Sequence, residues 1–234
     1  MRTRHYNKTP KPDIFKIAKE GTIREMKIAI LQGADINAED RFQLTPIIHA
    51  IWYNNRDIFD YLLANGAKIA YGDNERKPTP LHICASRINR HLTYQRYTAA
   101  LIAKGAKLDI QDNIGMMPLH CAAIHGNQTM VQILLKAGAN INALDTRGYT
   151  ALHCAILAGN TAIAKDLINS GSDLNTVDND GNTPIVLAAK FMHKEIMQAL
   201  IEKGAKFSAQ NQNGLTVLDA LQTSNDKLEF MQML

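Results

Sequence analysis

Residues 145–175 read DTRGYTALHCAILAGNTAIAKDLINSGSDLN, and related phrases recur along the 234-residue chain. Each phrase holds two short stretches in which apolar residues recur at helical spacing, and a glycine closes the second stretch. Consecutive closing glycines are separated by 33, 39, 33, 33 and 33 residues. Such a period predicts a repeat protein, because one helix pair cannot bury its apolar face alone and neighbouring pairs must stack. The closing glycines are Gly33, Gly66, Gly105, Gly138, Gly171 and Gly204.

A second landmark marks the start of the first helix in five of the repeats. Threonine caps the free N–H groups at a helix start, and proline fits the first helical position because no N–H is needed there. Two helices per repeat are therefore predicted, which places the chain in the all-α class. The landmark is a Thr-Pro pair or a close variant, and it begins at Thr45, Thr79, Met117, Thr150 and Thr183.

The phrases DTRGYTALHCAILAGN, from Asp145, and AKDLINSGSDLN, from Ala164, resemble the ankyrin-repeat family. The resemblance implies an ankyrin-repeat solenoid of about seven helix-turn-helix repeats joined by short β-hairpin-like fingers. We expect a basic N-terminal tail at residues 1–12 and a single ankyrin-repeat domain at residues 13–234. The expected repeats span about 13–40, 41–73, 74–112, 113–145, 146–178, 179–211 and 212–234.

Composition and charge narrow the classes of function. The net charge of +4 is too small to indicate a nucleic-acid partner by itself, and three cysteines are too few for a disulfide scaffold. No apolar run approaches the roughly 18 to 20 residues that span a bilayer, and the N-terminus lacks the apolar core of a secretory signal. We therefore expect a monomeric cytoplasmic protein, placed in the host cytosol if it is a secreted effector.

Histidine and cysteine lie close together in three repeats, which raises the question of a metal site or a thiol–imidazole dyad. Either site needs side chains that converge at set distances. The resemblance implies instead that the histidines hydrogen-bond finger backbone and that the cysteines fill small core positions. We predict no catalytic residue, no metal and no cofactor, with an enzyme as the rival class. The pairs are His82 with Cys84, His120 with Cys121, and His153 with Cys154.

The resemblance also implies a partner surface, because the fingers and the exposed face of the first helices line a concave groove in arrays of this type. The expected partner is another protein. Aromatic, methionine and arginine side chains are the types that concentrate at interfaces. The alternative is that some, Met116 and Tyr149 above all, pack between fingers and stiffen the array. The predicted groove residues are Arg41, Phe42, Leu44, Trp52, Tyr53, Ile114, Met116, Ile124, His125, Arg147, Tyr149, Leu157, Asn182, Lys190 and Phe191, and the cluster of Phe42, Trp52 and Tyr53 is the leading candidate.

The spacing of 39 between Gly66 and Gly105 reveals an insertion, most of it in SRINRHLTYQRY at residues 86–97. This segment contains arginine and histidine but no acid. It is either a solvated surface extension or a contact site for an acidic partner surface or nucleic acid. The predicted contact residues are Arg76, Lys77, Arg87 and Arg90.

Two narrower hypotheses follow from the family resemblance alone. Ankyrin arrays occur among host-directed effectors of intracellular bacteria and among viral host-range factors, so an effector that binds a host protein is an alternative function. The asparagines Asn37 and Asn142 stand at hairpin positions. The resemblance implies that they could be substrates of a host asparaginyl hydroxylase.

Overall fold

The computed structural model describes residues 12–70, 77–87, 92–208, 210–221 and 223–234. Within these residues every regular element is an α-helix, and none is a β-strand. The chain divides into two compact units, Met1–Ile69 and Ala70–Leu234, which we call the N-terminal unit and the C-terminal unit. The single domain over residues 13–234 stays a prediction.

The N-terminal unit contains two stacked helix pairs. The first helices of the two pairs pack on each other, and so do the second helices. Ile47, Ile51 and Phe59 are fully buried between the layers and form its core together with Met26. The helices are α1 Ile14–Glu20, α2 Ile23–Leu31, α3 Pro46–Trp52 and α4 Arg56–Ala64.

The C-terminal unit, taken by itself, also stacks helix pairs in two layers. The first helices, α5, α7, α9, α11 and α13, pack in series as one layer, and α6, α8, α10 and α12 form a second layer behind them. Alanines such as Ala122, Ala155 and Ala188 are fully buried in the first layer, where small side chains let the helices approach closely. The helices are α5 Pro80–Ala85, α6 Leu92–Ala103, α7 Pro118–Ile124, α8 Gln128–Lys136, α9 Ala151–Leu157, α10 Thr161–Asn169, α11 Pro184–Lys190, α12 Lys194–Glu202, α13 Val217–Ala220 and α14 Ser224–Met233.

Each described finger is a tight turn built on an aspartate or asparagine, without the strand pairing of a full β-hairpin. In the fifth repeat, Asp145 Oδ1 accepts hydrogen bonds from the N–H groups of Arg147 at 2.8 Å and Tyr149 at 2.9 Å. Gly148 lies between them at φ 75°, and a Cβ there would approach Oδ1 of Asn179 in the next finger to 2.8 Å. The turn therefore favours glycine, although Gln43 takes the same position of the second repeat at φ 62°, and the close approach of the next finger leaves no room for a side chain at Gly148. The same pattern of two N–H groups on one oxygen recurs at Asp40, Asp112, Asp178 and Asn211.

The insertion in the third repeat is partly helical. Helix α6 has 12 residues, whereas α8, α10 and α12 have 9 each, and the extra residues extend its N-terminal end. Tyr94 and Tyr97 are buried there with their rings edge to face, 5.9 Å apart. This part of the insertion therefore belongs to the scaffold, while residues 88–91 lie outside the described residues.

Threonine and histidine form a buried pair at the start of some first helices. The hydroxyl of Thr150 lies 2.8 Å from Nδ1 of His153, and the hydroxyl of Thr79 lies 2.8 Å from Nδ1 of His82. In each pair Nδ1 also accepts from the threonine N–H, at 3.2 Å in His153 and 3.1 Å in His82, so the pair gives the buried hydroxyl a hydrogen-bond partner.

Two of the five repeats with the Thr-Pro landmark lack the histidine, and their threonines show the consequence. Ile48 and Val186 stand at its position in the second and sixth repeats. Within the described part of the chain, the buried hydroxyls of Thr45 and Thr183 have no hydrogen-bond partner. The same threonine therefore contributes differently to stability in different repeats.

We predict that Thr150→Val lowers the free energy of unfolding by about 1–2 kcal/mol, because it removes the buried hydroxyl that bonds to Nδ1 of His153 and caps the His153 N–H. Thr183→Val should leave that free energy unchanged or raise it slightly, because the hydroxyl that it removes is unbonded. Urea unfolding of the two variants, followed by circular dichroism, compares the losses. Equal losses of unfolding free energy in the two variants would contradict the view that only the Thr150 hydroxyl is hydrogen-bonded.

Candidate partner-binding surface

The finger tips and the C-terminal ends of the first helices form one candidate surface on each compact unit, which we call its finger surface. On the N-terminal unit it carries Phe42, Tyr53 and Trp52, which are 65%, 54% and 47% exposed. Arg41, also exposed, holds its guanidinium 4.6 Å from the centre of the Phe42 ring. Leu44 is half-buried behind the finger. Three large aromatic side chains thus face solvent within one repeat.

A histidine that sequence reasoning missed connects this finger to helix α3. Asp40 uses Oδ1 for the N–H groups of Phe42 and Leu44, and its Oδ2 lies 2.8 Å from Nε2 of His49. The His49 ring stacks on Tyr53 with centroids 6.4 Å apart. The signal for His49 was present in the sequence, because the equivalent residues of other repeats are apolar: Ile83, Cys121, Cys154 and Leu187.

Lys19 is the second residue that sequence reasoning missed. It lies in the last turn of α1, and its ammonium is 5.2 Å from the centre of the Tyr53 ring. The first repeat lacks the Thr-Pro landmark, so the pattern did not reveal that Lys19 shares a surface with the second repeat.

The finger surface of the C-terminal unit is organised around an arginine. Arg147 donates from Nε and Nη2 to Oδ2 of Asp145, at 3.1 and 2.9 Å, and its guanidinium lies 4.6 Å from the centre of the Tyr149 ring. Tyr149 is half-buried. Of the other predicted residues, Ile114, His125, Lys190 and Phe191 are exposed, whereas Ile124 and Leu157 are half-buried.

Met116 and Asn182 do not reach this surface and are corrected from groove positions to scaffold positions. They are 4% and 5% exposed. The Met116 carbonyl lies 3.0 Å from Nε2 of His82, and the Asn182 amide donates to the Asp178 carboxylate at 3.0 Å. Both follow the finger aspartate by four residues, where the chain turns back into the array.

His82 and His120 hydrogen-bond finger backbone, as the resemblance implied, whereas within the described residues Nε2 of His153 is buried without a hydrogen-bond partner. Nδ1 of His120 accepts from the Met117 N–H at 3.2 Å, and Nε2 lies 3.0 Å from the Ala143 carbonyl and 2.9 Å from that of Tyr149. A ring nitrogen that accepts from N–H belongs to a neutral imidazole, so the ring joins one repeat to the next finger without charge.

Sequence-family models of ankyrin repeats match residues 30–84, 95–178 and 159–234. The chain belongs to the ankyrin-repeat family. It is 33% identical over 109 residues to the ankyrin repeat protein FPV031 of fowlpox virus, covering 46% of the chain and 30% of that protein. It is 32% identical over 98 residues to mouse inversin, covering 42% of the chain and 9% of inversin. The chain thus spans less than a third of the length of these relatives.

A crystal structure of the human ASB11 ankyrin repeat domain has the same fold. The two chains superpose with a TM-score of 0.78 at 20% identity, covering 95% of this chain and 98% of the other. The ankyrin-repeat fold is typically a protein–protein interaction module and is generally non-catalytic. None of the described helices is long and apolar enough to cross a membrane.

The cysteines of this ankyrin array are buried, and burial raises the pKa of Cys84, Cys121 and Cys154 to about 12 each. The thiolate is the reactive form, so these thiols are inert at neutral pH. Among the described residues, no three His, Cys, Asp or Glu side chains are grouped so that they could hold a metal ion.

We predict that the native protein leaves all three thiols unreacted with dithionitrobenzoate at about pH 8, whereas the protein unfolded in guanidinium reacts at all three. The reagent's absorbance measures both. One fast-reacting thiol in the native protein would contradict this prediction and support the enzyme hypothesis.

The buried histidines make stability depend on pH. Burial lowers the pKa of His82, His120 and His153, for His120 against an opposing effect of the Asp145 carboxylate. Below about pH 6.5 the unfolded chain takes up protons that the folded chain does not, so the free energy of unfolding falls as pH falls.

We predict that His120→Val, which introduces the residue found at Val186, weakens this dependence by up to about 1.4 kcal/mol per pH unit below about pH 6.5. Urea unfolding between about pH 7.5 and about pH 5.5 measures the slope in both proteins. The variant should be less stable at neutral pH, so only the slopes are compared. Identical slopes would be inconsistent with a neutral His120.

Only part of the predicted basic site is described. Lys77 and Arg87 are half-buried, and each has a partner within the chain. The Arg87 carbonyl also accepts a hydrogen bond from the Asn127 amide at 2.8 Å. Arg76 and Arg90 lie outside the described residues.

Asn37 and Asn142 both connect successive ankyrin repeats. The side-chain oxygen of Asn37 accepts from the Lys68 N–H at 2.7 Å, and that of Asn142 accepts from the Asp173 N–H at 2.9 Å. Their hydroxylation stays a prediction.

Proposed function

We propose that this chain is a protein-binding adaptor without catalytic activity, and that its finger surfaces contact the partner. The observation that carries the proposal is the exposure of large apolar side chains at these positions, namely Phe42, Trp52, Tyr53, Ile114 and Phe191. Exposed apolar residues that cluster on a folded protein mark interaction sites, and Trp, Tyr and Arg supply most of the binding energy at interfaces.

The finger surfaces are also held in place before any partner arrives. Asp145 fixes Arg147 through two hydrogen bonds, and Asp40 joins its finger to helix α3 through His49. Side chains that are already ordered lose less conformational entropy on binding, which favours affinity. The buried thiols and neutral imidazoles support a role without catalysis.

We predict that Trp52→Ala with Tyr53→Ala, or Tyr149→Ala with Phe191→Ala, weakens binding of the captured partner at least about tenfold. Affinity purification from the native cell, with mass spectrometry, supplies the partner, and calorimetry measures its affinity. Leu228→Ala is the control, because Leu228 is exposed on α14 and lies away from the finger tips. Unchanged affinity in both double variants, with unchanged circular dichroism, would refute the proposal.

The similarity to a fowlpox virus protein supports a narrower version, in which the partner is a host protein. Capture from host-cell lysate tests it with the same variants. Host proteins recovered equally by the wild type and by both double variants would count against it.

A further inference from the structure

The finger surface of the N-terminal unit places a cation on each of two exposed aromatic rings. Arg41 lies 4.6 Å from the centre of Phe42, and Lys19 lies 5.2 Å from the centre of Tyr53. The ring faces attract positive charge, so the pairs hold both cations at the surface that contains Trp52.

Neither cation has a carboxylate partner. Within the described residues, Lys19 and Arg41 form no ion pair. This holds although Glu20 directly follows Lys19 and Glu39 precedes Arg41 by two residues. Asp40, the acid next to Arg41, gives Oδ1 to two backbone N–H groups and Oδ2 to His49. In this part of the chain neither positive charge is held in an ion pair, so both can meet a carboxylate of a partner.

The fifth repeat uses its finger aspartate differently. Cys154 stands at the position of His49, and Oδ2 of Asp145 accepts two hydrogen bonds from Arg147, which follows Asp145 by two residues. Arg147 lies over Tyr149 at the same 4.6 Å that separates Arg41 from Phe42, but it is held in an ion pair. Arg41 directly follows Asp40, whose Oδ2 lies on His49, and in the described part of the chain Arg41 is not held in such a pair.

We infer that this surface binds a linear acidic segment of the partner, one that carries a bulky apolar side chain between carboxylates. The inference deepens the proposed function. The carboxylates meet Lys19 and Arg41, and the apolar side chain contacts the exposed rings. A basic segment would meet like charge, on ring faces that cations already occupy.

The test uses the only tryptophan of the chain, Trp52, whose emission reports binding at the site. The full chain is titrated with four peptides, Glu-Glu-Phe-Glu-Glu, Glu-Glu-Ala-Glu-Glu, Lys-Lys-Phe-Lys-Lys and Lys-Lys-Ala-Lys-Lys. The acidic phenylalanine peptide should bind at least about tenfold more tightly than the other three, and added salt should weaken it.

Two variants locate the effect. Lys19→Glu with Arg41→Glu should reverse the preference towards the basic phenylalanine peptide. Lys27→Glu is the charge-matched control, because Lys27 lies 5.7 Å from the Tyr61 ring in the second-helix layer, and it should keep the acidic preference. Circular dichroism verifies folding of each variant.

Equal affinity for acidic and basic peptides overturns the inference, and so does an acidic preference that survives in the Lys19 and Arg41 double variant. A chain whose Trp52 emission responds to none of the peptides overturns it as well. Loss of partner capture in the Trp52 and Tyr53 double variant is a separate measurement, so the proposed function can stand when the acidic specificity fails.

Discussion

Each described finger depends on one side-chain oxygen that accepts two backbone N–H groups. This oxygen, from an aspartate or from Asn211, closes the turn and sets the direction of the exposed finger residues. The second oxygen of the aspartates has different partners in different repeats. It binds His49 in the second repeat, Arg147 in the fifth and Asn182 in the sixth. The first oxygen therefore builds the turn, and the second holds a different side chain in each of these repeats.

Stacking of the helix pairs governs the ionisation of the residues that resemble a catalytic set. The first helices bury their alanines and cysteines against each other, and this burial keeps the thiols protonated and the imidazoles neutral. The neutral His120 then donates to finger carbonyls of the next repeat, which stabilises the array further. The chemistry of the core follows from the packing that the repeat requires.

The repeat, the helices and the scaffold role of the histidines could be predicted from the sequence, because glycine, Thr-Pro and small residues act locally. The site could be predicted only in part. Met116 and Asn182 were placed at the surface because a period fixes the position of a residue but not the direction of its side chain in a turn. The Lys19 ammonium lies over the Tyr53 ring of the next repeat. The first repeat, which contains Lys19, lacks the Thr-Pro landmark. No spacing rule in the sequence indicates such a contact.

The contrast between Arg41 and Arg147 shows how one scaffold can present different surfaces. Both guanidinium groups lie 4.6 Å from an aromatic ring and next to a finger aspartate. Arg147 is held against Asp145 by two hydrogen bonds, so the finger fixes the direction of its guanidinium. Oδ2 of Asp40 lies on His49 instead, and within the described residues Arg41 is not held in an ion pair. The partner of the second aspartate oxygen therefore differs between the two repeats, while the turn that the first oxygen closes stays the same.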